Sequence, residues 1–173
     1  MEITNYSEQV STEWIEALAL EELNMEMSGV VNMNEHLSPA GALEESSIRF
    51  MDELKDHFEL FVSKFNEYRG ASAQIKLFKI SNTVNDFMLY RNSLRLILNR
   101  RANDTIAIGF LTGSGEMLPA RLGGNAPSIN GPHEIKAHVG AFNEITWRFR
   151  GEIVNVEAVA RFYMSEFIRN SAH

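Results

Sequence analysis

Six apolar side chains, Met51, Leu54, Phe58, Phe61, Phe65 and Tyr68, recur at steps of 3, 4, 3, 4 and 3 residues. Side chains three and four apart share one face of an α-helix, so the spacing predicts a helix of about five turns with one seam that must be covered. Asp52, Glu53, Lys55, Asp56, Glu59 and Lys64 fall largely outside that seam, and Gly70 stands where a helix stop belongs. Two covers suit such a seam: a sheet of the same chain, which makes it core, or a second copy of the helix, which makes Met51, Leu54, Phe58, Phe61 and Phe65 an interface.

After Gly70 the period changes from helical to alternating. Ile75, Leu77 and Phe78–Ile80 predict a strand over 73–80, and 86–91 predicts a second. Leu94, Leu96 and Leu98 alternate with Arg95, Ile97 and Asn99 in a third over 93–100. A turn at Asn103-Asp104 leads to a fourth through Ile106, Ile108 and Phe110. Residues 112–133 carry three of the four prolines and read as a long loop. Ile135/Ala137/Val139 and Ile145/Trp147/Phe149 predict two further strands, and Asn155 can cap a last helix over 156–170.

Ahead of the seam, residues 12–27 predict a helix with Ser11 or Thr12 as its cap, and 28–42 a connection. Hairpin succession implies an antiparallel sheet, and helices segregated from strands imply an α+β class. The expected architecture is a sheet of five or six strands packed by a long amphipathic helix and a C-terminal helix, with an acidic N-terminal helix in front. Residues 1–42 would hold the acidic helix and connection, and 43–173 the α+β domain, the 173 residues forming one compact unit.

Charge is divided along the chain. Residues 1–70 hold 15 Asp and Glu against 4 Lys and Arg, whereas 71–173 hold 8 against 12. If the leucines and isoleucines of the strands point inward, Arg95, Arg101, Lys136, His138, Arg148 and Arg150 point outward. Thr105, Ala107 and Gly109 then make a low spot among them, and Arg121 lies in the long loop above. This cationic face has three readings. It is a solvated sheet face, a seat for the acidic helix 12–27, or a site for an anionic ligand. Nucleic acid is not expected, because the pI is near 5.3 and the outward positions show no paired aromatics for stacking.

The catalytic templates are incomplete. His133 and His138 are five apart in a strand, so they face opposite ways and cannot share a metal as two histidines one helical turn apart would. Glu53 and His57 sit four apart on a helix, where a surface ion pair is the ordinary outcome. Thr112-Gly113-Ser114-Gly115 lacks the glycine two residues before the serine that a nucleophile elbow requires, and no Gly-Lys-Ser/Thr ending follows. With no cysteine, thiolate chemistry and disulfides are excluded.

The sequence thus reads as a non-enzymatic interaction or regulatory module that self-associates through the helical seam, with no metal and no cofactor. The alternative is a binding domain for a small anionic ligand, with or without catalysis, on the basic sheet face beneath the 112–133 loop. The absence of an apolar run of 18 residues and of a cationic-apolar leader reads as a cytoplasmic chain without a membrane segment.

Overall fold

The computed structural model describes residues 11–29, 39–114, 117–118 and 131–172. The chain divides into two compact units, Met1–Ser38 and Pro39–His173, where the sequence predicted a boundary after residue 42 inside a single compact whole. No helix among the described residues is long and apolar enough to cross a membrane.

The first unit contains helix α1 (Glu13–Ser28). The expected hydroxyl cap is absent: Thr12 precedes the first turn, but its side chain makes no capping bond. The helix stops at Gly29, whose φ of 69° lies in the left-handed region and whose N–H donates to the Met25 carbonyl.

The second unit begins with helix α2 (Pro39–Arg69), which starts earlier than its seam because Pro39 already has a helical φ and needs no N–H partner in the first turn. Its sheet comprises β1 (Lys76–Lys79), β2 (Phe87–Arg91), β3 (Leu94–Ala102), β4 (Thr105–Leu111), β5 (Met117–Leu118), β6 (His133–Val139), β7 (Ile145–Phe149) and β8 (Glu152–Ile153). Helix α3 (Val156–Asn170) closes the chain, and the Asn155 side chain accepts from the Ala158 N–H as expected of its cap.

All pairings are antiparallel, in the order β1-β2-β3-β4-β6-β7-β8. The two-residue β5 pairs with the far end of β4, in line with β6. The sheet is therefore seven strands wide instead of five or six. The extra strand, β8, arises from a two-residue hairpin at Arg150 (φ 51°) and Gly151 (φ 84°), a turn that needs two left-handed residues in succession. Arg-Gly is not the Asn-Gly signal by which such hairpins are recognised.

Register puts Leu77, Leu89, Leu96 and Phe110 in one inward row, and Phe87, Leu98, Ile108 and His133 in the next. Helices α2 and α3 cover this face. Met51, Leu54 and Phe58 are fully buried there, with Phe58 5.8 Å from Phe87 in an edge-to-face pair. The expected interface is in these three residues the chain's own core, which leaves them nothing to show a second copy. Phe61 and Phe65 are half-buried against the same cluster, and Tyr68 is exposed. The drift is geometric: at about 100° per residue, Tyr68 lies roughly 100° behind Met51, so Val62 takes the buried position on the last turns.

One end of this core is closed by a buried cation. Arg91 is 5% exposed, and its Nε donates to Ser171 Oγ at 2.9 Å. Its terminal nitrogens donate to the Ile168 carbonyl at 2.8 Å and the Ala73 carbonyl at 3.5 Å, while the guanidinium lies 4.9 Å from the Phe65 ring centre. Through Ile168 it satisfies one carbonyl at the C-terminal end of α3, where the helix dipole favours a positive charge. Burial, and secondarily the charge of Arg69, lowers its pKa.

Candidate functional site

The sheet face opposite α2 and α3 shows where the sequence-predicted cations stand. Arg95 and Leu111 are paired at one end of it, whereas Thr105, Lys136 and Arg148 are aligned at the other. Six residues along β4 and three strands across separate Arg95 from Arg148, roughly 25 Å. The structure thus divides the predicted set. Lys136, His138, Arg148 and Arg150 share one groove, Arg95 is remote, and Arg121 lies outside the described residues. Arg101 is held in an ion pair by Glu134, which also has Lys136 Nζ at 3.7 Å. Ala107 and Gly109 do form the low spot, a shallow depression bordered by Ile97, Asn99 and Arg101.

The same register corrects one expectation about this face. Phe78 on β1 and Tyr90 on β2 lie diagonally adjacent on it, Phe78 opposite Met88 and Tyr90 opposite Lys76. The outward positions are therefore not free of paired aromatics, since the period of two sets Phe78 and Tyr90 on the same face as Arg95.

The groove exists because two strands part. The β6–β7 ladder runs from Val139–Ile145 to Lys136–Arg148 and stops. Beyond it, β6 stays with β4, while β7 turns away through Arg150 and Gly151 into β8. The opening has a volume of 570 Å³ and is bordered by Pro132–Glu134 on one side and Phe149–Gly151 on the other. Among the described residues, Lys136, Arg148 and Arg150 line it against a single carboxylate, Glu134. Arg148 Nε donates to Thr146 Oγ1 at 3.2 Å, and the Arg150 guanidinium lies 5.5 Å from the centre of the Phe149 ring. Among the described residues neither arginine is ion-paired.

A buried histidine completes the site. His133 is 1% exposed and is bordered by the rings of Phe149 at 5.2 Å and Tyr163 at 5.8 Å. Its Nδ1 is hydrogen-bonded to the Tyr163 hydroxyl, and its buried Nε2 has no partner among the described residues. If the phenol donates to Nδ1, the only orphan is the Nε2 hydrogen. If Nδ1 donates instead, both the phenol hydrogen and the Nε2 lone pair are orphaned. Unpaired buried polar groups cost about 1–3 kcal/mol each, so the first arrangement prevails and Nε2 presents a donor. Burial first, and the charge of Arg150 second, pushes the His133 pKa below its ordinary value and keeps the ring neutral. Burial likewise pushes the Tyr163 phenol well up, so it remains protonated.

His133 and Tyr163 did not appear among the sequence-predicted site residues. A signal existed for the histidine: it shares the inward parity of Ile135 and Ala137, an unusual place for a polar ring. Nothing marked Tyr163, which looks like one more apolar position on α3. Among the described residues, no three His, Asp or Glu side chains gather as a metal site would require. Compared with protein-family models, curated proteins and solved structures, the chain gives no match.

Proposed function

We propose that the unit Pro39–His173 binds a small anionic ligand in the groove where β6 and β7 part. The observation that carries this reading is the convergence of Arg148, Arg150 and Lys136 on a groove also lined by His133, where among the described residues there is one carboxylate and no partner for His133 Nε2. Arginines without carboxylate partners are suited to bidentate bonds with a carboxylate or phosphate. A neutral histidine adds a donor without the desolvation cost of a further charge.

The test is a nitrogen-15 chemical-shift titration of the full chain with acetate and with inorganic phosphate. Saturable shifts are expected at 132–138 and 148–151, weakening as salt is raised. Arg148→Glu with Arg150→Glu should abolish them, whereas Arg95→Glu should leave them intact. If neither anion produces saturable shifts there, or if the double variant responds as the wild type does, the reading falls.

A second reading, of an interaction or self-associating module, is supported by α1. None of its residues is buried, and Trp14, Leu20 and Met27 are 61%, 62% and 80% exposed. Exposed apolar side chains of this size occur at association surfaces. Light scattering should give a multiple of 19.6 kDa that Trp14→Glu with Leu20→Glu reduces to the single chain. A wild-type chain that is already monomeric would remove this reading.

A further inference from the structure

The anion groove does not stand alone. On the helix-covered side of the sheet, a second cavity of 350 Å³ lies between α3 and the β7–β8 end, lined almost wholly by apolar side chains. Ile135, Val154, Val159, Phe162 and Tyr163 are among its walls. Phe149 lines both spaces, and it sits where the β6–β7 ladder has stopped. His133 and Tyr163 are hydrogen-bonded to each other and border one space each. A cationic groove and an apolar cavity are thus separated by one half-buried ring, at the single place in the β6–β7 pairing where backbone bonds do not close the sheet.

Taking the anion-binding reading as its base, we infer that the ligand is an amphipathic anion: a carboxylate in the cationic groove and an aliphatic body that crosses Phe149 into the apolar cavity. The chemistry of the walls divides in the same way. Lys136, Arg148 and Arg150 provide charge on one side, while among the described residues the other side carries no charged side chain, only the Asn155 amide and the Tyr163 hydroxyl, which is bonded to His133. Binding sites typically combine a predominantly apolar cavity with a few convergent polar groups, and the two spaces together supply that combination. The His133 ring lies 5.2 Å from that of Phe149, the wall the two spaces share.

The experiment compares octanoate with acetate in the same chemical-shift titration of the full chain. Octanoate should bind at least about 30-fold more tightly, the gain of roughly two to three buried methylenes. Ala158→Trp fills the cavity from an exposed position on α3, and Ile153→Asp sets a charge beside it from an exposed position on β8. Each should erase the preference for octanoate while leaving acetate binding unchanged. Arg148→Gln should weaken both acids by the same factor. Equal affinity for the two acids would overturn the inference and leave the anion site standing. A preference for octanoate that survives both cavity variants would also overturn it, since the aliphatic body would then lie elsewhere. Failure of both acids to bind would remove the anion reading and the inference with it.

Discussion

Two arginines at different places in one sheet show how differently the same side chain can be placed. Arg91 is sealed under the C-terminal end of α3, with carbonyls and a serine hydroxyl on its nitrogens and Phe65 beneath its plane. Arg148, where β6 and β7 part, is half-buried and among the described residues makes one hydrogen bond, to Thr146. Neither has a carboxylate partner among the described residues. The first has its hydrogen-bonding capacity taken up by the fold, and the second keeps most of it for something else. The same contrast holds for the ring stacks: Phe58 on Phe87 lies deep in the core, whereas Phe149 divides two open spaces. A region in which every polar group has a fixed partner is a structural closure. A region with free donors and a broken ladder is where a ligand can be accommodated.

This contrast can be broken by substitution, and the largest effect is expected at the closed end. Phe58→Ala should lower stability by about 3–5 kcal/mol in urea unfolding, because a fully buried ring leaves a cavity among residues that cannot collapse around it. The mass by light scattering should not change. If Phe58→Ala were instead to dissociate an oligomer at unchanged stability, the seam would be an interface after all. Arg91→Met should cost about 2–3 kcal/mol, since the Ile168 and Ala73 carbonyls and the Ser171 hydroxyl lose a charged donor while the volume is retained. A loss below about 0.5 kcal/mol would show that water replaces Arg91 and that this end is not closed.

The open end should respond to pH more than to truncation. Because the His133 pKa is lowered in the fold, the unfolded chain takes up the proton more readily. His133 therefore costs stability as pH falls through the ordinary histidine range near about 6.5, and costs nothing well above it. The unfolding free energy of the wild type should drop between pH 7 and pH 5 more steeply than that of His133→Gln. Equal slopes would mean that His133 titrates as freely in the fold as in the unfolded chain. A saturating anion should oppose the drop by stabilising the protonated ring. The smallest expected effect is that of Arg148→Gln, within about 0.5 kcal/mol of wild type, because its head is free of the core. A larger loss would place Arg148 with Arg91 as a structural residue.

Much of the α+β arrangement follows from local pattern. The 3–4 spacing of Met51, Leu54 and Phe58 makes a helix with one covered face, and the leucines of 94–98 make a strand with the same requirement. Parity then sends Arg95, Lys136 and Arg148 outward and His133 inward, a consequence of the two-residue period alone. Local pattern could not tell which cations meet. Register across four strands placed Arg148 beside Lys136 and carried Arg95 to the far end of the face. Nor could it supply β8, whose hairpin rests on left-handed backbone at Arg150 and Gly151, or the partner of His133, thirty residues away on α3. Side-chain periodicity is a property of neighbours along the chain and is legible there. The groove, the shared wall at Phe149 and the pairing of His133 with Tyr163 depend on where strands stop pairing and which helix crosses them, and long-range packing alone decides that.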